Sequence, residues 1–459
     1  MTDSIILKRF FGTDFAFPFE IFYRNKSMFR PPIPQTPTLD MPQVQKDIRF
    51  IGETSWKKKK LYHTTSHTAL YPVLFLGQIF AILPVSGISS KSAKNLKFKW
   101  FDFRTLHTLL VMGGQAIGIA LSVRWIARNK FTMANMDSVF WFTTKFMVAA
   151  YFLWLAKNWP SLMGEWERIE NTFPAYVGHK RTIKFFHFKI KLYASLITLG
   201  LFIEHILCIC VGTFRVYICL NTTSVEGYLK QAWPQIYTNI KYDDGVRGIL
   251  MEILNFYCTF QWIYMDIIII SISICLSTRF NQLNEYLRQY KGMKMPRSFW
   301  TNQRKHFSSI VDLIMNVDEK ISIMTAFSVL INLYTTLMQL LHSFQLQETV
   351  TEATYFWFLL FYTICRTILV SLSAARINDE SQKPAQVVRA IPNDTYDSEA
   401  NRLLEQVVNT KVGLTGMRFF YFTRPLILSV CGTIITYELV LVQFSLITPK
   451  TKENLCKAF

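Results

Sequence analysis

Seven stretches of about 20 or more mostly apolar residues dominate this chain, at roughly 104–126, 135–157, 190–214, 249–278, 322–344, 354–377 and 423–446. At about 1.5 Å of rise per residue, each is long enough to cross a hydrocarbon core of about 30 Å as a helix. The 51% apolar content and 39 Phe are more greasy surface than one or two soluble domains of this length would hide. The expected fold is therefore an all-α membrane protein of seven transmembrane helices. An eighth run, 69–88, is broken by Pro72, Gln78 and Pro84 and reads as an interfacial or re-entrant helix.

The net charge of +19 comes from Lys and Arg clustered between the apolar runs, with no nucleic-acid motif among them. Basic loops stay in the cytosol, so Lys57-Lys58-Lys59-Lys60 predicts an intracellular N-terminus. If 69–88 does not span, 158–189 (Arg168, Lys180, Arg181, Lys184, Lys189) and 279–320 (Arg288, Lys291, Lys294, Arg297, Arg304, Lys305) are cytosolic as well. The Lys-free loop 345–353 and the glycosylation sequon Asn221-Thr222-Thr223 then face outward. Arg128 and Lys130 in a short outer loop, and Lys450, Lys452 and Lys457 in an outer tail, run against this arrangement. Residues 1–50 show no basic start followed by an apolar run and a small-residue site, so no cleavable signal is expected there and the first membrane helix is expected to target the chain. Six of the eight Cys fall in or beside membrane helices as small apolar side chains, no metal spacing appears, and whether Cys219 and Cys456 pair outside is open.

The same reading divides the chain along its length. Residues 1–60 are polar, punctuated by Pro31, Pro32, Pro34, Pro37 and Pro42, and expected to be disordered in the cytosol. Residues 61–103 hold the interfacial helix and a linker, and 104–278 the first four crossings. Helical extensions into the cytosol occupy 279–321: the fourth helix runs on through Phe280, Leu283 and Leu287, and a new one starts near Phe299 after Pro296. Phe307, Ile310, Val311, Ile314 and Val317 recur on it at helical spacing. Crossings five and six fill 322–377. In the cytosolic segment 378–422, Asp397 or Ser398 can cap an amphipathic helix bearing Leu403, Leu404, Val407 and Val408. The last crossing is 423–446, followed by an extracellular tail, 447–459. The apolar stripes need a dry partner, within the subunit or in another.

Ionisable side chains in membrane helices are costly and face a cavity, a partner or a pore. Here they are Lys145, Glu204 with His205, Asp266, Arg366 and Glu438. Lys145 with Glu204, or Asp266 with Arg366, are candidate internal pairs.

Several short motifs occur in order: Leu155-Ala156-Lys157-Asn158-Trp159-Pro160, Glu204-His205, Cys258-Thr259-Phe260 with Tyr264-Met265-Asp266, Asn332-Leu333-Tyr334, Tyr355-Phe356-Trp357 and Ala374-Ala375-Arg376-Ile377-Asn378. The last membrane run closes with Thr436-Tyr437, five mostly apolar residues and Gln443-Phe444. Over residues 60–446 the chain resembles the insect gustatory receptors, and their sugar-receptor branch in particular, relatives of the insect odorant receptor channels. The resemblance implies a ligand-gated, non-selective cation channel in the plasma membrane of taste neurons. It also implies a homotetramer joined through the cytosolic helices, with heteromers with sister receptors as an alternative.

A sugar needs hydroxyl partners beside aromatic faces. The outer halves of the helices offer Asp137, Trp141, Glu204, His205, Phe256, Gln261, Trp262, Asn332, Tyr334, Gln339, Tyr355, Trp357 and Tyr362 as candidate contacts to a mono- or disaccharide. The family fold implies that they converge in the bundle 104–278 and its neighbours, and puts the pore on the last helix. There Thr436, Val440 and Gln443 or Phe444 share a face with Gly432, so a four-fold copy sets apolar constrictions beside amide oxygens offered to Na, K or Ca ions. Small-residue faces also serve ordinary helix packing. A G-protein-coupled receptor is the first rival, but it predicts an outside N-terminus and Asp-Arg-Tyr-like and Asn-Pro-x-x-Tyr motifs that are missing. A sugar transporter predicts inverted repeats and paired broken helices, which are not evident. No nucleophile–base or metal constellation supports an enzyme, and no cofactor is expected.

Overall fold

The computed structural model describes residues 66–129, 133–172, 180–220, 225–237, 245–342, 349–392 and 396–447. The expectations for the tetralysine tract, the disordered N-terminus, the Asn221 sequon, the tail with its three lysines, and Cys456 lie outside these residues. Cys219 is disulfide-bonded, and Cys208, Cys210, Cys258, Cys275, Cys365 and Cys431 are free thiols.

Long helices make up almost all of the described chain: α1 (Ser66–Ile79), α2 (Phe103–Arg128), α3 (Met133–Thr172), α4 (Lys180–Leu220), α5 (Val225–Ala232), α6 (Pro234–Tyr237), α7 (Gly245–Gln289), α8 (Arg297–His342), α9 (Val350–Gln382), α10 (Pro384–Val388), α11 (Ser398–Asn409) and α12 (Arg424–Ile447). Six of them (α2, α3, α4, α7, α8 and α9) are long and apolar enough to cross a membrane. The last, α12, is 24 residues long. This agrees with the predicted all-α membrane architecture, but the ends differ. The second crossing was expected to stop near residue 157, whereas α3 runs through Pro160 to Thr172. Proline removes one N–H and one helical bond. Burial of Trp159, Leu162, Met163 and Trp166 against the core offsets that loss.

Helix α7 is the axis of the fold. From Cys258 to Ser277 every residue is buried, including the run Ile267-Ile268-Ile269-Ile270. A helix apolar all round belongs inside a bundle, and α2, α3, α4, α8 and α9 surround it. Helix α2 comes close because Gly114 leaves room for Leu254 of α7 and Gly118 for Phe142 of α3.

Helix α1 spans about 21 Å from its 14 residues, short of the hydrocarbon thickness. It packs on α7 with Leu70, Val73 and Leu74 buried, and the Tyr264 hydroxyl donates to the Val73 carbonyl at 3.1 Å across the gap left by Gly77. Its start is held by Glu170, which accepts from Ser66 N at 3.1 Å, from Trp166 Nε1 at 2.7 Å and from Arg279 Nη2 at 2.6 Å. The far end reaches Phe80, stacked on Phe260 at 3.6 Å. The chain then turns back. Glu167, one helical turn before Glu170, accepts from Ser92 Oγ at 3.0 Å and Ala93 N at 2.9 Å. Residues 66–93 thus leave and re-join α3 at the same level.

On the α3–α7 face where Glu170 lies, α8 starts at Arg297, directly after Pro296, and α11 is capped by Asp397, whose side chain accepts from Ser398 N at 2.7 Å. Phe307, Ile310, Val311, Ile314 and Val317 of α8 are all buried within one subunit, as are Leu403 and Val407 of α11. Val408 is exposed instead. The apolar stripe of α8 therefore finds its dry partner inside the chain. A hairpin, β1 (Thr415–Gly416) and β2 (Phe420–Tyr421), follows and is pinned where Thr415 N and Oγ1 donate to Asp318 at 2.6 and 2.7 Å. It delivers the chain to α12, whose Arg424 Nε lies 2.7 Å from Asp379 on α9.

Candidate functional site

Three helices each contribute a pair of residues four apart to one polar knot, the spacing that places two side chains on the same helix face. Trp262 and Asp266 come from α7, Ser328 and Asn332 from α8, and Tyr362 and Arg366 from α9. Asp266 is fully buried and Arg366 is 2% exposed. Asp266 accepts from Ser328 Oγ at 2.5 Å and from Asn332 Nδ2 at 3.1 and 3.2 Å. Arg366 Nε lies 2.8 Å from Asp266 Oδ2, off the N–H line, while Arg366 Nη2 donates to Asn332 Oδ1 at 2.9 Å. Trp262 Nε1 donates to the same amide oxygen at 3.1 Å. The guanidinium carbon sits 4.2 Å from the Trp262 ring centre and 5.4 Å from that of Tyr362. The Tyr362 hydroxyl in turn donates to the Ile197 carbonyl of α4 at 2.7 Å, where Gly200 makes room for the ring. A buried charge survives only when paired and hydrogen-bonded, and here one side chain of Asn332 serves donor and acceptor at once.

Beside the knot, Lys145 of α3 is buried without an ion-pair partner among the described residues. Its ammonium lies 4.1 Å from the Trp141 ring centre and 4.9 Å from that of Trp262. A cation over aromatic faces gains about 0.5–2 kcal/mol, which takes the place of the Glu204 partner weighed from sequence. Of the two candidate pairs, only Asp266–Arg366 forms. Gln261 meets Gln115 of α2, whose Nε2 donates to Gln261 Oε1 at 2.8 Å.

A second cluster joins α4, α7 and α9. The Tyr355 hydroxyl donates to Glu204 Oε1 at 3.3 Å, and Glu204 Oε2 is buried with no hydrogen-bond partner. His205 Nε2 lies 3.5 Å from Glu252, which also accepts from Trp233 Nε1 at 2.8 Å. Phe256 packs its ring on His205 at 4.9 Å and on Phe202 at 5.6 Å. A cavity of about 250 Å³ opens next to Glu252, lined mainly by Ile209, Thr213, Tyr228, Leu229 and Ile253. It touches this cluster through Glu252 and none of the side chains of the knot.

Of the residues named from sequence, Trp262, Asn332 and Tyr362 meet in the knot, with Trp141 beside it through Lys145 and Gln261 through its neighbour Trp262. In the second cluster Glu204 meets Tyr355, and His205 meets Phe256. Asp137, Tyr334, Gln339 and Trp357 join neither group. Asp137 is exposed, Tyr334 packs on Phe140 at the exposed surface, Gln339 is half-buried near the end of α8, and Trp357 is 63% exposed. On α12, Thr436, Val440 and Gln443 are exposed, and the side chains of Glu438 and Phe444 lie outside the described residues. Sequence reasoning missed Gln115, Ser328, Trp233 and Glu252. For Gln115 the signal was there: a lone amide in the otherwise apolar or small run Leu109–Val123.

The trehalose receptor family model matches residues 49–456. The Drosophila melanogaster gustatory receptor for sugar taste 64f is 34% identical, over 82% of this chain and 80% of that protein. Gustatory receptor 5a for trehalose, from the same organism, is 32% identical over 84% of this chain and 87% of its own length. Among solved structures, the insect olfactory receptor OR5 from Machilis hrabei in complex with eugenol superposes with a TM-score of 0.61 at 15% identity, covering 82% of this chain and 97% of that one. At that identity the likeness speaks for the fold. The family match over nearly the whole described chain and the identity to the fly receptors settle the kinship: this multi-pass membrane protein belongs to the trehalose receptor family of insect sugar gustatory receptors.

Proposed function

We propose that this receptor is a ligand-gated, non-selective cation channel of the plasma membrane, opened by a mono- or disaccharide bound among α3, α4, α7, α8 and α9. The reading of the ligand rests on the second cluster: a buried Glu204 oxygen without a partner lies on a carboxyl that accepts from Tyr355, and the next residue, His205, packs on the Phe256 ring, so α4 carries an acceptor and a ring face in succession. Trp262, Asn332, Tyr362, Trp141 and Gln261 form the deeper wall. A ligand shifts the closed–open balance only through better binding to the open form, and contacts on both α4 and α9 give it two elements to act between.

The reading of the pore rests on one observation. Helix α12 leaves Gly432, Thr436 and Gln443 exposed along one side of a single subunit. Thr436 Oγ1 satisfies itself on the Gly432 carbonyl at 2.9 Å, but an amide such as that of Gln443 is costly in hydrocarbon unless it is wet. Four copies of that face around an axis give Gln443 a water-filled lumen, with Val440 and Phe444 as constrictions that gate by dewetting. In this arrangement the N-terminus is cytosolic, the tail and a glycosylated Asn221 are outside, and Na, K and Ca ions permeate. Homotetramers, or heteromers with sister sugar receptors, are the assemblies.

Expressing the chain alone in cells lacking other receptors and recording currents during a sugar panel tests both parts. Sugar-evoked currents are expected, with Gln443→Glu raising cation preference in asymmetric salt and Phe444→Ser leaking without sugar. Unchanged reversal potential in the first variant, with no basal current in the second, places the pore elsewhere.

A further inference from the structure

Gln115 and Gln261 are both fully buried, and one hydrogen bond joins them. That bond leaves Gln115 Oε1 and Gln261 Nε2 buried without a hydrogen-bond partner. Turning both amides over does not help, since it strands a donor on Gln115 and an acceptor on Gln261. In either orientation the pair keeps one donor and one acceptor unmatched, and each such group costs about 1–3 kcal/mol when buried. Gln115 Nε2 also lies 3.5 Å from Cys258 Sγ, a weak acceptor that satisfies neither orphan. Trp262, the residue after Gln261, and Trp141 form the platform over which the Lys145 ammonium sits with no carboxylate in contact.

We infer that Gln115 and Gln261 form a hydroxyl-reading seat that brings α2 into the sugar site. A hydroxyl both donates and accepts; one sugar hydroxyl inserted at this pair accepts from the orphan N–H and donates to the orphan carbonyl. Amide pairs do this for neutral polyols without discriminating by charge, and the neighbouring ammonium over the two Trp rings disfavours a cationic ligand. This assignment rests on the sugar-binding reading above and makes the pair a determinant of which sugars are recognised.

The test is a cycle between protein and ligand. Gln115→Leu alone strands Gln261 further and can impair folding, so the key variant is Gln115→Leu with Gln261→Leu, which removes both partners while keeping side-chain bulk. Wild type and double variant are compared at matched surface expression, by dose–response to an activating sugar and to its monodeoxy analogues. The expected result is a tenfold or greater loss of potency toward the parent sugar, and no further loss toward the one analogue that lacks the hydroxyl read by the pair. Equal loss toward every analogue shows that the pair only supports packing, and unchanged potency toward all of them shows that it holds a buried water; either overturns the seat while leaving the sugar reading intact. A wild type that answers no sugar overturns the reading and the seat together.

Discussion

Helices α7 and α12 are both apolar runs of membrane-crossing length, yet one is the most enclosed element of the subunit and the other among the most open. Along α7 every residue from Cys258 to Ser277 is buried. On α12, Leu428 is 74% exposed and Ile435 60% exposed. Hydropathy alone does not separate them; the distribution of polar groups does. Asp266 and Trp262 of α7 find matched partners on α8 and α9, whereas on α12, beyond the Arg424–Asp379 pair at its start, Thr433 and Thr436 bond only to the carbonyls one turn back on their own helix. A membrane helix with internally satisfied polar groups is a core element. One with small and polar residues left facing outward is built for water or for another copy.

The largest effect tests that contrast at its centre. Removing one partner of a buried ion pair costs about 3–5 kcal/mol, so Arg366→Met is expected to abolish surface delivery, read by biotinylation, and Asp266→Asn added to it to restore part of the signal. If Arg366→Met is delivered normally and melts like wild type in detergent, the knot is not what holds α7, α8 and α9 together. Next comes the binding wall. Glu204→Ala should weaken sugar potency roughly tenfold, from about 1–3 kcal/mol lost at a buried hydrogen-bonding group, with matched expression; a response at wild-type concentrations moves the pocket away from α4. The smallest effect compares the two helices directly. Ile268→Val on α7 should cost about 0.5–1.5 kcal/mol through a lost buried methylene, while Ile435→Val on α12 should stay within about 0.5 kcal/mol. Thermal melting of the purified receptor separates them, and equal shifts would mean that α12 is as tightly enclosed as α7 in the assembled protein.

Much of this is legible in the sequence alone. Hydropathy located the six long apolar helices and the run that forms α12, and Pro296 and Asp397 marked two helix starts, because those signals are local. The extension of α3 past Pro160 was not legible, since the burial of Trp159 and Trp166 that sustains it depends on partners far along the chain. The site was half legible for the same reason. Residue type nominated Trp262, Asn332 and Glu204, but which candidates converge depends on helix rotation, and that left Trp357 on the outside. Lys145 found aromatic faces where the sequence offered a carboxylate.

The returning segment 66–93 carries a consequence for how the receptor is made. Ser66 is held by Glu170 and approaches Arg279, 104 and 213 residues further along the chain. At about 5–20 residues per second of synthesis, Arg279 emerges roughly 10–40 s after Ser66. Glu170 emerges about halfway through that interval, so until its end α1 lacks at least the α7 groove it fills, and its Pro72-interrupted run is short of a crossing. The segment nearest the start of the described chain therefore locks only once the central helix has been made, and its docking reports that this helix has arrived.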